Sequence, residues 1–317
     1  MLEVIRYLSL NASRAVALTG ECPSDDGGEG EEMPEFQIID THVHLMDTGR
    51  LRYPEIEAAG PKLAGDFLMA DFDRLRGGVE VEKLVFLEVA VPDEQQLDEA
   101  RFVQNLASRE PRIGAIVAAA RIERGAAVAE DLEPLAEVPL VRGIRRLIQV
   151  HPEPDYCSRP EFIEGVRTVG RFGMHFEICI YHPQLRAAIE LARACPDIPI
   201  ILDHIGKPGI LHDLIEPWWS QLRTLASLDN VVCKLSGVIT EADHERWTEA
   251  NVRPHIDRVL DVFGPERVIF GSDWPVSELT HSYADWVGIV DRALSGLSDD
   301  ERRAVFRDNA ARFYRLS

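Results

Sequence analysis

Positive charge is what this chain has least of. Its 317 residues carry 34 Lys+Arg against 54 Asp+Glu, a formal net charge of −20, and only four of the cations are lysines, at 62, 83, 207 and 234. Nucleic-acid binders need a basic face, and anionic lipid attracts clustered cations, so neither partner is expected. Cysteine is nearly as sparse. The five, at 22, 157, 179, 195 and 233, are odd in number and form no CxxC. That spacing suits reduced thiols in a cytoplasmic protein and excludes a disulfide framework or a zinc ribbon. No run of eighteen apolar residues exists, so no membrane span is expected. The first twenty residues have apolar character, but Arg14 interrupts them where a signal peptide needs an unbroken apolar centre. The motifs GxSxG, GxxxxGK[ST] and HExxH are absent as well, which removes the common serine-hydrolase, P-loop and zincin chemistries.

What is there begins after an acidic segment. Residues 21–35, ECPSDDGGEGEEMPE, combine carboxylates with Gly and Pro and almost no large apolar groups. Residues 1–35 therefore read as an N-terminal extension, largely disordered, ahead of one domain over 36–317. From 36 onward, short near-continuously apolar runs alternate with longer helical stretches. The runs are 36–40, 83–90, 113–118, 141–147, 174–180, 198–202, 231–235 and 267–270. Strands buried on both faces have this composition. Helices are expected over 94–109, 126–136, 160–172, 183–194, 213–227 and 247–263, with two more near 283–294 and 298–314. Eight such pairs over roughly 280 residues give an α/β fold, a (β/α)8 TIM barrel. A doubly wound open sheet is the alternative, but no GxGxxG follows the first run. The long stretch 45–82 should cross the barrel mouth and hold a helix at 70–76.

Active sites of such barrels lie at the C-terminal ends of the strands. The first strand ends in Asp40-Thr41-His42-Val43-His44, and alternation puts both imidazoles on one side. The eighth ends in Gly271-Ser272-Asp273-Trp274-Pro275, where Asp273 can bind metal or take a proton from water. The sixth adds His204, ahead of a turn forced by Gly206 and Pro208. Lys234, inside the apolar seventh strand, needs a carboxylate partner or an anionic substrate. Of Arg145 and Arg146 only one can face inward, and Gly143 leaves room beside Arg145. Glu88 and Glu177 are the natural buried partners of these cations, and Tyr181 and His182 follow the fifth strand. Imidazoles, carboxylates, Arg and Lys together suit the activation of water against a polarised carbonyl.

Asp40-Thr41-His42-Val43-His44, Gly143-Ile144-Arg145, Leu202-Asp203-His204-Ile205-Gly206-Lys207-Pro208, Lys234-Leu235-Ser236-Gly237 and Gly271-Ser272-Asp273-Trp274-Pro275 occur in order and at barrel spacing. Together they resemble the amidohydrolase superfamily and, within it, the amidohydrolase-2 (amidohydrolase-related) branch of TIM-barrel metal-dependent hydrolases, over residues 36–317. That resemblance implies a lactonase acting on a sugar acid or related small carboxylate. It makes Asp273, His204 and Arg145 catalytic, and His42, His44, Asp273 and Glu177 candidate ligands of a mononuclear site. Glu88, Lys234, Tyr181, His182 and Trp274 would contact substrate. Arg145 stands where metal-rich relatives carry a bridging Lys or Glu, so a binuclear centre is not expected. One zinc or manganese ion, or no metal, stays open. A metal-dependent decarboxylase of the same branch and an inactive binding barrel are the rival readings. The partner is a small molecule. A homo-oligomer is left open, with Trp218-Trp219 as either interface patch or core.

Overall fold

The structure is a computed structural model and describes residues 33–58 and 60–316. The expectations for the N-terminal extension fall on residues outside that set, apart from 33–35. Eight parallel strands pair in the order of the chain: β1 (Ile38–Val43), β2 (Val81–Leu87), β3 (Ile113–Ala119), β4 (Val141–Leu147), β5 (His175–Cys179), β6 (Ile200–Leu202), β7 (Val231–Leu235) and β8 (Val268–Phe270). The sheet returns on itself at the top. Val43 bridges Trp274 in parallel, and the backbone N–H groups of Asp273 and His44 donate to His42 O (2.9 Å) and Trp274 O (2.8 Å). The closure is that of a (β/α)8 TIM barrel.

Two helices, α1 (Pro54–Ala58) and α2 (Met69–Leu75), lie in the crossing from β1 to β2. The next crossovers carry α3 (Gln96–Ala107), α4 (Ala129–Ala136), α5 (Pro160–Arg171), α6 (Leu185–Ala194), α7 (Trp218–Ala226) and α8 (Glu249–Phe263). After β8 come α9 (Tyr283–Ala293), α10 (Asp299–Arg303) and α11 (Asn309–Tyr314). The apolar runs form the strands because each is covered twice. One set of side chains packs against the helices. The alternate set, Ile39, Val85, Ala115, Val117, Ile201 and Ile269, joins Ala310 and Tyr314 in a second cluster that fills the barrel. Expected helix 213–227 starts only at Trp218, because Gly209–Leu214 pairs in a short bridge and Pro217 precedes the first turn. Expected helix 298–314 is one continuous stretch interrupted by a wider turn at Ala304–Asp308.

Period-2 alternation decides what enters the barrel. On β4 and β5, Gly143 pairs with His175 and Arg145 with Glu177. A Cβ on Gly143 would lie 2.2–2.5 Å from the His175 ring, so the space that Gly143 leaves is taken by His175, not by Arg145 as the sequence suggested. Arg145 enters the barrel for its parity, while Arg146 points out to Glu123 and Asp93.

Candidate active site

Asp40 ties the two strand ends that carry the site. It is fully buried. Its Oδ1 accepts the N–H groups of His42 (3.0 Å) and Ser272 (2.9 Å), and its Oδ2 accepts Tyr283 Oη–H (2.9 Å). One carboxylate thus fixes the backbone just before His42 and just before Asp273. Asp273 itself is held at φ 65°, a left-handed conformation that a non-glycine residue adopts at a cost. Its side chain does not cap a following helix; it turns inward, 3.5 Å from His42 Nε2 and 3.4 Å from His44 Nε2.

The proton inventory there is one-sided. His44 Nδ1 lies 2.9 Å from Leu87 O, and a carbonyl can only accept, so Nδ1 carries a proton and Nε2 is the nitrogen turned to Asp273 Oδ1. Arg145 Nη1 lies 3.2 Å from His42 Nε2, and a guanidinium can only donate, so that nitrogen is an acceptor as well. Two imidazole nitrogens and a carboxylate oxygen therefore converge, and a proton or a divalent cation between them suits all three. The spacings match the edge of a tetrahedral zinc site, about 3.3–3.4 Å for ligand bonds near 2 Å. His42, His204 and Asp273 also bring ligand atoms within 4.8 Å of one another. The residues fit one divalent ion. Arg145 shares the His42 lone pair, so an ion there has to take it from Arg145.

β6 delivers His204 through a strained turn. His204, Ile205 and Lys207 have φ of 52°, 52° and 45°. Trp218, fully buried, donates its indole N–H to Ile205 O (2.8 Å) and pins the turn from α7. That settles Trp218 as core, while Trp219 lies partly exposed between Arg223 and Arg258. His204 Nδ1 is 2.9 Å from Ser236 Oγ, a group that donates or accepts and so supports either tautomer. Gly237 beside it has φ 54°, and a Cβ there would lie 2.5 Å from His204 Nδ1 and 3.1 Å from Asp273 Oδ2. Burial above all, helped by Lys234 and Arg145, pushes both His42 and His204 well below the ordinary 6.5, with Asp273 working the other way at His204. Burial opposes the charge of Asp273, but His204, His44 and Lys207 outweigh it and hold the carboxyl down at about 2.

Under this mouth lies a fully buried ion network. Arg145 Nε donates to Glu88 Oε1 (2.7 Å) and Nη2 to Glu88 O (2.6 Å). Lys234 Nζ is 2.5 Å from Glu177 Oε2 and 3.1 Å from Asp203 Oδ1. Glu177 Oε1 takes His175 Nε2 (3.0 Å) and Tyr314 Oη–H (2.7 Å). Burial works against Glu177, but Lys234 and His175 hold its carboxyl below the usual range. Asp203, with Arg145 Nη1 at 3.6 Å and no well-aligned hydrogen bond, is pushed up to about 7, chiefly by burial.

Most residues singled out from the sequence meet in one place: His42, His44, Arg145, His204 and Asp273 around the mouth, Glu88 and Lys234 beneath. Three expectations need correction. Both oxygens of Glu177 are taken by Lys234, His175 and Tyr314, so it is a counterion and not a metal ligand. Trp274 is 0 % exposed, its ring edge-on to Phe67 and Phe72, so it packs under the β1 crossing instead of meeting substrate. Lys234, likewise 0 % exposed, is an internal counterion of Glu177 and Asp203. Tyr181 lies beside Lys207, whose ammonium is 5.3 Å over its ring. His182 sits further out, its backbone N–H on Lys207 O (3.3 Å). Asp40, Asp203, Ser236 and Tyr314 were missed. Parity was the available signal for two of them, since Asp203 follows inward Ile201 by two and Ser236 follows inward Lys234 by two.

A barrel with imidazoles and a carboxylate gathered at the β1 and β8 ends defines the class, and the chain belongs to the amidohydrolase family, whose model matches residues 39–316. It is 34% identical over 291 residues to an L-fucono-1,5-lactonase of Burkholderia multivorans, covering 88% of this chain and 96% of that one. An amidohydrolase crystal structure from Burkholderia multivorans with bound zinc superposes with a TM-score of 0.80 at 29% identity, covering 89% of this chain and all of that one. A 5-carboxyvanillate decarboxylase from Sphingomonas paucimobilis, at 17% identity and a TM-score of 0.59, shares the fold alone. Among the described residues, no helix is long and apolar enough to cross a membrane.

Proposed function

We propose that this protein is a hydrolase that opens the lactone ring of a sugar acid, with water activated by Asp273. The observation that carries the reading is a carboxylate held ionised, turned inward on a strained backbone and facing the imidazoles of His42 and His44. The similarity to an L-fucono-1,5-lactonase over nearly both full lengths supports the substrate class.

The chemistry follows from the protonation states. Asp273 accepts a proton from water as the oxygen bonds to the ring carbonyl carbon. The tetrahedral adduct collapses with cleavage of the ring C–O bond, and Asp273 returns the proton to the departing alkoxide. Carbonyl oxygen charge needs a donor, and His204, oriented by Ser236, supplies one when Nε2 carries the proton. Arg145 is engaged on three nitrogens by Glu88 and His42, so it acts by holding His42 and by its charge rather than by direct grip on substrate. His42, His44, His204 and Asp273 would hold one divalent ion, which when bound supplies Lewis acidity and a more acidic water. In that case His44 keeps Nδ1–H on Leu87 O and offers Nε2, and Ser236 supports the His204 tautomer with a free Nε2.

Proton release from aldono-1,5-lactones, followed with a pH indicator in the presence and absence of chelator, tests the reading. Turnover above the spontaneous rate is expected. No turnover of any sugar lactone under either condition would overturn it.

A further inference from the structure

The turn that delivers His204 also delivers a cation that takes no part in the proton transfers. Lys207 ends the left-handed run, its backbone N–H donating to His204 O (2.9 Å). Its ammonium lies 3.1 Å from Glu241 Oε1 and 5.3 Å over the Tyr181 ring. Three successive loops, after β5, β6 and β7, thus each place one group at the same spot. That spot is on the reaction side of the barrel. Lys207 is near enough to Asp273, His204 and Cys179 to act on the charge of each. It is also at the open end: the ion network beneath is 0 % exposed at Lys234, Glu177 and Asp203, whereas Glu241 is 6 % and Lys207 9 % exposed.

An ion pair built only for stability belongs either in solvent, where it costs little, or on the floor with every donor used. Lys207 does neither. An ammonium has three N–H donors, and Glu241 takes one. A carboxylate has two oxygens, and Lys207 Nζ approaches Oε1 of Glu241. The pair therefore keeps donors and an acceptor for a third party, and the Tyr181 ring lies beside them. A hydroxyl is both donor and acceptor, and a pair of adjacent hydroxyls on a ring with C–H faces matches this set. Burying charge here also makes an unhydroxylated ring a poor occupant, because it leaves the charged groups without partners.

We propose that Lys207, Glu241 and Tyr181 form the subsite that recognises vicinal ring hydroxyls of the substrate, so that the enzyme selects polyhydroxylated lactones over bare ones. This rests on the lactonase reading of the same site. The fold spends backbone strain at His204, Ile205 and Lys207 to aim both a reaction-centre imidazole and a recognition cation into one mouth.

The test is the ratio of kcat/KM for a polyhydroxylated 1,5-lactone to that for δ-valerolactone. The ratio should fall about 10- to 100-fold in Lys207→Met, the range for hydrogen bonds to a charged group, mainly through KM on the hydroxylated substrate. Lys207→Met leaves Glu241 buried without its partner, so the double variant Lys207→Met/Glu241→Gln, which removes both charges, is measured alongside and should lose the same selectivity. An unchanged ratio in both variants overturns the proposal. Calorimetric binding of the ring-opened aldonate separates the two readings. If wild type turns over no lactone yet binds the aldonate, and Lys207→Met does not, the lactonase reading fails and the hydroxyl subsite stands. If binding is equal in wild type and variant, the subsite fails.

Discussion

Asp273 carries the most at the scale of single residues. It is the one carboxylate at the mouth that is ionised, inward-facing and free of a Lys or Arg salt bridge within 4 Å among the described residues. Asp273→Asn should lower kcat by about 10²- to 10⁴-fold with an unchanged melting temperature, read by indicator kinetics and calorimetry. If the site takes a metal, chelated protein should bind one equivalent of zinc, and His44→Ala should weaken that binding, measured by direct titration. Lys234 is the contrasting case, since nothing but protein touches it. Lys234→Met strands Glu177 and Asp203 in the barrel and should cost about 3–5 kcal/mol in denaturant melts at neutral pH. The sign of its pH dependence follows from Glu177. A carboxyl held below its unfolded value of 4.5 adds stability that is full above about pH 4.5 and is lost as pH falls further. The gap between wild type and Lys234→Met should therefore narrow below pH 4.5. The sequence made Lys234 legible as needing a buried carboxylate, with Glu88 and Glu177 as the candidates, but not which of the two it takes. It did not make Asp203 legible as the third member, because only register shows which acid shares the lysine.

Among the elements, the β6–α7 turn does what no strand or helix does. Its left-handed residues are stabilised from two sides, by the Trp218 indole on Ile205 O and by Gly237, whose missing Cβ admits His204. Gly237→Ala meets both a φ of 54° and a contact 2.5 Å from the ring, so it should displace His204 and lower kcat far more than it lowers stability, read by comparing kinetics with melts. Gly143→Ala is the mirror case. It strikes the His175 ring, which Phe313 and Tyr314 pack edge-on, and should destabilise by about 1–3 kcal/mol through overpacking. The bounds of β7 were readable to the residue, because an apolar run buried on both faces leaves little choice, and those of β4 matched as well despite its three arginines. The start of α7 was not, since the bridge at Gly209–Leu214 depends on the fold of the turn before it. Trp274 was misplaced for a related reason: its neighbours Phe67 and Phe72 come from the long β1 crossing, and pattern alone does not tell which aromatic a loop will cover.

The whole molecule is a barrel with a polar floor and a plug. Tyr314, near the end of the chain, enters from below among Ile39, Val85 and Ala115 and donates to Glu177. The floor of the active site is thus held by the last turn of the last helix. Eightfold alternation made the barrel itself readable, and motif order made its family readable. The plug was not, because α11 looks like any amphipathic closing helix until its tyrosine is seen inside. The central claim is that this architecture turns an ionised Asp273 on a sugar lactone. The most direct measurement is proton release from a panel of aldono-1,5-lactones by wild type and Asp273→Asn side by side. Turnover by the wild type that disappears in Asp273→Asn, with both proteins folded, is the predicted result. Equal rates in the two proteins, or none in either, would contradict the account.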